Sequence, residues 1–292
     1  MFDWDDLRIF DVLARTGSLA ATARELHVNH ATVSRRIAAL EAALGLSLVR
    51  RLARSTPLTA QGAAVARLAA DMERTAQAVD REARSLSTGV SGEVSVSLPP
   101  ALASHFLAER LPGLQALHPA LAVTLKATSA VSSLERGEAD IALRLVRPDG
   151  PAQFVRRLGV MRLGLFAASN MATRPPEAWR FILAGEDQAD LPHQAWLGRY
   201  RGERPVAMRS SDVHSQIAAA RAGLGVAALP FFMVSDDDLV QVDPGAAVPS
   251  RAIWLVVHAG VRKVPAVQAT SAWIAETFAA SIFRPPADFD RA

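Results

Sequence analysis

Residues 18–54 read SLAATARELHVNHATVSRRIAALEAALGLSLVRRLAR. Ser18 is of the residue type that caps helix starts, and Leu19, Ala23 and Leu26 follow at three- and four-residue steps until polarity rises at His27. Asn29 is a second cap, after which Val33, Ile37, Leu40 and Leu44 restart the same spacing and Gly45 ends it. The pattern predicts helix, tight connection at Val28 and Asn29, helix. With Val33, Ile37 and Leu40 turned to a core, the opposite face carries His30, Thr32, Ser34, Arg35 and Arg36. Short polar groups and arginines near a helix N-terminus suit a DNA major groove, where arginine bonds guanine bidentately and threonine touches a thymine methyl. The positive end of the helix dipole also favours nearby phosphate.

Working outward, residues 45–62 read GLSLVRRLARSTPLTAQG, an apolar run set with Arg50, Arg51 and Arg54 and a turn at Ser55 to Pro57. An amphipathic helical hairpin with a solvated Arg-Arg pair accounts for residues 18–45 alone. A basic hairpin after it reads instead as a wing, whose arginines enter a minor groove or bond phosphates. From Arg24 to Arg54 the chain has six arginines (24, 35, 36, 50, 51, 54) against Glu25 and Glu41.

On NHATVSRRIAALEAALG, on LVRRLARSTPLTAQG and on the layout of the remaining residues, the chain resembles the LysR-type transcriptional regulators over nearly its full length. Two positions depart from the family pattern: His30 stands where glutamine is most frequent and Val49 where phenylalanine is usual. Histidine still donates to a guanine acceptor, so His30 alters the expected half-site preference without removing the function. The resemblance implies an α/β protein with an N-terminal all-α winged helix-turn-helix over 1–58 and a long linker and dimerisation helix with its hinge over 59–91. A two-lobed α/β effector domain resembling periplasmic solute-binding proteins follows over 92–292, lobe 1 being 92–160 with 264–292 and lobe 2 161–263. The expected DNA-facing set is Ser18, Asn29, His30, Ala31, Thr32, Ser34, Arg35 and Arg36, with Arg51 and Arg54 in the wing.

A length of 292 residues favours two or three domains. The net charge of +3 is too small to argue for nucleic acid by itself, so the local arginine cluster carries that inference. Without cysteine there is no disulfide framework, thiolate nucleophile or cysteine-ligated metal. MFDWDDLRIF places acids ahead of its apolar run, unlike a secretory leader, and no stretch reaches the ~18 uninterrupted apolar residues of a membrane span. A cytoplasmic location with no membrane partner is expected.

Before the opening stretch, Asp3 caps a helix carrying Leu7, Phe10, Leu13 and Ala14 that stops at Gly17, its acids forming a solvated face. After the wing, Thr59 opens a helix to about Ser87 in which Val65, Met72, Val79 and Leu86 fall seven apart with Ala69, Ala76 and Ala83 between them. Such a seam predicts pairing with a second copy, hence a homodimer or homotetramer on an inverted repeat, and aspartate at Met72 or Val79 is expected to yield monomers. Packing of the seam on the chain's own C-terminal domain is the alternative.

STGVSG (87–92) reads as a linker. Strands are expected at Val94–Leu98, Leu121–Leu125 and Ile141–Val146, with helices from Pro99-Pro100 to about Leu111 and from Val131 to Gly137, a βαβαβ order that implies a parallel sheet. A second unit starts near Arg162 with apolar runs at Leu163–Ala167, Phe181–Leu183 and Ala195–Leu197. A helix at Asp212–Ala222 and a strand at Val226–Leu229 complete it. Ile253–His258 is a further strand and Val264–Phe283 the closing helix, with RPPADFDRA as a tail. By resemblance the lobe crossings fall near Val160–Arg162 and Ala259–Lys263.

Ligands in open α/β sheets sit beyond the carboxyl ends of strands and at helix N-termini. Family position gives Ser97, Pro99, Thr128, Ser129 and Arg144 on one lobe, and Trp196, Ser211, Asp212 and His214 on the other. Hydroxyls and helix-start amides suit a small carboxylate, with Arg144 as counter-ion; each of these residues also has a plain structural use as a cap or surface group. No nucleophile elbow, phosphate-cradling loop or histidine metal spacing is present, and Gly223-Leu224-Gly225 follows a helix, so neither an enzyme nor a cofactor or metal is expected. The resemblance implies a DNA-binding regulator modulated by a small-molecule effector, with RNA polymerase as a further partner. A constitutive regulator, or a solute-binding module, is the alternative.

Overall fold

The computed structural model describes residues 1–50, 52, 55–85, 89–128, 139–148, 153–234 and 239–284, which form two compact units, Met1–Ala83 and Arg84–Ala292. Arg51, Arg54, Leu86, Ser129, the expected helix at 131–137 and the tail beyond Arg284 lie outside the described residues.

In the first unit α1 (Trp4–Thr16) starts where the Asp3 carboxylate accepts from the Asp5 amide at 2.9 Å and ends at left-handed Gly17. Ser18 caps α2 (Leu19–Glu25) through the Ala21 amide, Asn29 caps α3 (His30–Leu44) through the Thr32 amide at 2.7 Å, and Gly45 closes it with φ 65°. Phe10, Leu13, Val33, Ile37, Leu40 and Leu48 are buried between the three helices, each side chain contributing about 1.5–3 kcal/mol.

Asp3 and Asp5 of the α1 acids face solvent, but the others do not. Asp6 and Asp11 are buried, because Asp6 receives the Arg36 guanidinium at 3.0 Å and Asp11 that of Arg15 at 3.3 Å. The connection between α2 and α3 is also longer than a two-residue link. His27 sits at φ 54°, a left-handed conformation that costs a residue with a Cβ roughly 1–2 kcal/mol. His27→Gly is therefore expected to stabilise the unit by about 1 kcal/mol, read as a rise in melting temperature; a lower melting temperature would show that the imidazole is held by favourable contacts.

Beyond Gly45 the chain turns back on itself. Val49 pairs with Leu58 in an antiparallel bridge, Arg50 donates its amide to Pro57 O at 2.8 Å, and Leu52 to Ser55 O at 3.1 Å. This is the expected wing. Thr59 then caps α4 (Ala60–Ser85) through the Gly62 amide, and Gly62 lies so close to the Leu48 carbonyl that any Cβ there would overlap it.

The heptad seam of α4 is not wholly free for a second copy. Ala69 is part of the buried core, and Val65, Ala66 and Met72 pack against it, so the first half of the seam closes the chain's own helix-turn-helix. Aspartate at Met72 would disturb this core before it reported on oligomers, and the expectation for that residue is withdrawn. Leu68 and Val79, in contrast, are 64% and 67% exposed.

The second unit has two five-stranded mixed sheets. The first takes β1 (Gly92–Leu98), β2 (Leu121–Ala127), β3 (Ile141–Arg144), β4 (Gln153–Met161) and, from near the chain's end, a strand Arg251–His258; the second takes β5 (Leu163–Ala167), β6 (Phe181–Leu183), β7 (Val206–Arg209), β8 (Val226–Pro230) and β9 (Val240–Val242). With Arg251–His258 as β10, the orders are β2-β1-β3-β10-β4 and β7-β6-β8-β5-β9. In each, four strands run in one direction and a single strand, β10 in the first and β5 in the second, runs antiparallel between two of them. The helical run after β1 extends from α5 (Pro100–Leu102) to α6 (Leu111–Leu117), through a π turn at Ala103–Leu107 and a 3-10 turn at Ala108–Arg110.

Three sequence readings need correction. The apolar run Ala195–Leu197, grouped with two runs that do form strands, is the middle of a helix, Pro192–Arg201, whose proline occupies the first turn where a missing amide costs nothing. The return crossing is not at 259–263. β10 pairs with β3 and β4 of the first sheet, so the chain crosses back between Val242 and Arg251, and residues 251–263 belong to lobe 1. The closing helix is Pro265–Ala279, after which Phe283 O accepts the Val160 amide at 2.8 Å, fastening the end of the described chain to a crossing strand.

Candidate nucleic-acid interface and ligand cleft

The exposed side of α3 is built by its caps. Asn29 spends its carboxamide oxygen on the Thr32 amide, and Ser18 spends its hydroxyl on α2, so both order the helix ends that would meet DNA. Asn29, His30, Ala31 and Arg35 are exposed, and Thr32 and Ser34 half-buried beside them. The structure separates the adjacent arginines. Arg36 lies against Asp6 at 3.0 Å and Asp3 at 3.4 Å, and the hydrogen bond it donates to the Asp6 carboxylate raises its pKa. Arg36 therefore clasps α3 to the start of α1, leaving Arg35 as the cation on the open face.

Sequence reasoning missed Glu41. From the last turn of α3 its Oε1 accepts the amides of Leu48 at 2.7 Å and Val49 at 3.2 Å, tying the base of the wing to the helix before it. A carboxylate seven residues ahead of a basic loop was the available signal.

In the second unit a cleft of about 480 Å³ opens between the two sheets. Pro99, Thr128, Arg144, Ser211, Asp212 and His214 of the expected set line it. Two others do not. Ser97 is fully buried behind the wall, and Trp196 stacks on Tyr200 at 5.1 Å in the core of lobe 2. Arg144 turns inward: Nη1 donates to Ser97 O and Leu143 O and Nη2 to Ser97 Oγ, all at 3.0 Å, and burial lowers its pKa. It cements β3 to β1.

At the mouth the π turn buries Phe106 and Leu107 and leaves His105 outward, where its Nε2 lies 2.8 Å from Nε2 of His214 on the other lobe. His214 starts the helix Val213–Arg221, and its Nδ1 is 3.1 Å from Asp212 Oδ1. Hydrogen bonds from the Ser215 hydroxyl, from His214 and from both their amides hold the Asp212 carboxyl down at about 2. The contact joins the lobes by a ring-to-ring hydrogen bond.

The cleft also has members that the sequence did not suggest. His193 lies on the Pro192–Arg201 helix, and Arg251 opens β10 opposite Met161 on β4. Burial, then the charge of Arg251, pushes His193 down to about 4, so it is neutral at physiological pH.

A basic winged helix-turn-helix followed by a two-lobed α/β unit with a cleft defines a DNA-binding protein with a ligand-sensing module. Residues 4–63 match the family model described as bacterial regulatory helix-turn-helix protein, lysR family, and residues 87–279 the LysR substrate binding domain. The chain belongs to the LysR family of transcriptional regulators. It is 29% identical to the Mau operon transcriptional activator of Paracoccus denitrificans over 96% of this chain and 98% of that protein. It is also 33% identical to the glycine cleavage system transcriptional activator of Escherichia coli K12, over 52% of this chain and 49% of that protein. Among solved structures it is similar in fold to full-length AphB, a Vibrio cholerae virulence activator (TM-score 0.66, 21% identity, 94% and 98% of the two chains). Full-length CbnR complexed with its target DNA is similar too (TM-score 0.62, 21% identity, 95% and 100%). No helix among the described residues is long and apolar enough to cross a membrane.

Proposed function

We propose that this LysR-type regulator senses a small molecule in the cleft between its lobes and converts occupancy into altered promoter contact. The supporting observation is the cleft itself: its walls come from both lobes and the lobes meet at its mouth through His105 and His214. A ligand that touches both walls binds the closed arrangement better than the open one, and that difference in affinity is what shifts the population. DNA contact is assigned to Ser18, Asn29, His30, Ala31, Thr32, Ser34 and Arg35, with the wing arginines Arg50, Arg51 and Arg54, and a positioning role to Arg36. The protein acts in the cytoplasm without a cofactor and without catalysing a reaction, and RNA polymerase is the partner that reads its promoter state.

A homodimer, or a tetramer of two, would present paired recognition helices to an inverted repeat. Among the described residues of α4, Leu68 and Val79 are the large apolar side chains exposed for a second copy. Val79→Asp is expected to shift the scattering mass toward the monomer with the melting temperature unchanged; an unaltered mass would move the interface elsewhere. The regulatory reading is tested by footprinting the promoter with and without candidate metabolites. An effector-dependent change in the protected region is expected, and a footprint and transcript level blind to every ligand that binds the cleft would make the protein a constitutive regulator.

A further inference from the structure

Among the described residues, two polar groups in the cleft are removed from water without a charged or hydrogen-bonding partner to offset it. His193 is 8% exposed, and its Nδ1 is shielded from solvent with no hydrogen-bond partner among the described residues. Arg251 is half-buried and its pKa is lowered by burial, with no carboxylate paired to it among the described residues. A desolvated guanidinium without a counter-ion is unfavourable, and an anion brought by a ligand removes the penalty. The two groups also come from different lobes, Arg251 from the first strand position after the return crossing and His193 from the Pro192–Arg201 helix.

Of the other charges lining the cleft, Arg147 is exposed, with its guanidinium over the Trp254 ring at 5.6 Å, so its charge is screened by water. Arg144 is committed to Ser97, and Asp212 to the amides and hydroxyl at its helix start. Asp187 contributes a carboxylate to the lining, which disfavours a second negative charge on the ligand, while Leu102, Met161, Leu163, Ala228 and Pro230 supply apolar wall. Because His193 is neutral, the anchor offers one full positive charge and one N–H donor.

Building on the reading of this cleft as the effector site, we propose that the effector is a monocarboxylic acid with a compact apolar body, its carboxylate bridging Arg251 of lobe 1 and His193 of lobe 2. The counter-ion is thus moved from Arg144, where position at a strand end first suggested it, to Arg251. The carboxylate fastens together the two lobes at the crossing strands, while the apolar body fills the remainder of the cavity. An acid that bridges the lobes favours closure, whereas a neutral analogue makes apolar contacts alone.

The test uses the full-length chain and three probes in calorimetric titration: 2-naphthoate, its neutral isostere 2-naphthamide, and the dianion 2,6-naphthalenedicarboxylate. 2-Naphthoate is expected to bind at least about tenfold more tightly than either of the others, as a charge-assisted pair warrants. Arg251→Met is expected to erase that preference while raising the melting temperature of the unliganded protein, since it removes an unpaired buried charge. His193→Phe should weaken naphthoate several-fold and leave naphthamide unchanged. Equal affinity for acid and amide, an acid preference that survives Arg251→Met, or no binding of naphthoate up to 20 mM would each overturn the assignment. Footprinting with the same probes separates it from the regulatory reading. An acid that binds as expected but leaves the footprint unchanged defeats regulation alone, and a footprint moved by the amide as strongly as by the acid defeats the carboxylate anchor alone.

Discussion

Glu41→Ala is expected to weaken operator binding by about 30-fold and to lower the melting temperature of the DNA-binding unit by about 10–20 °C. The Leu48 and Val49 amides that Glu41 accepts belong to buried residues at the base of the wing. Removing the carboxylate leaves two buried donors without an acceptor, a cost of about 2–4 kcal/mol. A wing that pivots at Leu48 no longer holds Arg50 at a fixed offset from α3, so phosphate contacts are lost together with stability. Glu41→Gln keeps an acceptor oxygen in place and should stay within about 1 kcal/mol of the native protein. A Glu41→Ala protein that melts and binds like the native one would show that the wing is positioned by its own hairpin bonds.

Arg144→Met should lower the melting temperature of the effector unit by about 4–16 °C, the loss of about 2–4 kcal/mol in a unit of roughly 200 residues. Its guanidinium satisfies the Ser97 carbonyl and hydroxyl inside the wall between β1 and β3, and a thioether satisfies neither. The preference for a carboxylate over its amide should survive, because that preference is assigned to Arg251. A stable Arg144→Met protein that has lost the preference would return the counter-ion to Arg144.

The helix-turn-helix was legible because each boundary carries a local chemical signal: oxygen-bearing caps at Asp3, Ser18 and Asn29, and glycine at 17 and 45 where the chain turns left-handed. The division of labour between Arg35 and Arg36 was not, since it depends on Asp6, 30 residues away. Strand β4 escaped notice because Arg156 and Arg157 interrupt its apolar run; only its pairing with β10 makes it a strand. The Pro192–Arg201 helix was read through three apolar residues, whereas the proline at its start was the better guide. Ile253–His258 is apolar enough to fit either sheet, so nothing local indicates that it returns to the first, and the lobe boundary fell short by one strand. Arg251 and His193 were invisible for the same reason, as the cleft brings together residues from opposite lobes through two crossings.

The most direct test of the central claim, that the α3 face around His30 and Ser34 reads base pairs in a groove, is the affinity ratio for a fragment of the protein's own promoter against a scrambled one, measured for the native chain and for His30→Ala. The native chain should retard the promoter fragment at low salt with a preference of about 10³-fold or more, and His30→Ala should erode that preference at particular base pairs while keeping non-specific affinity. Failure of the native chain to retard any promoter fragment, or equal losses for His30→Ala on promoter and scrambled DNA, would contradict it.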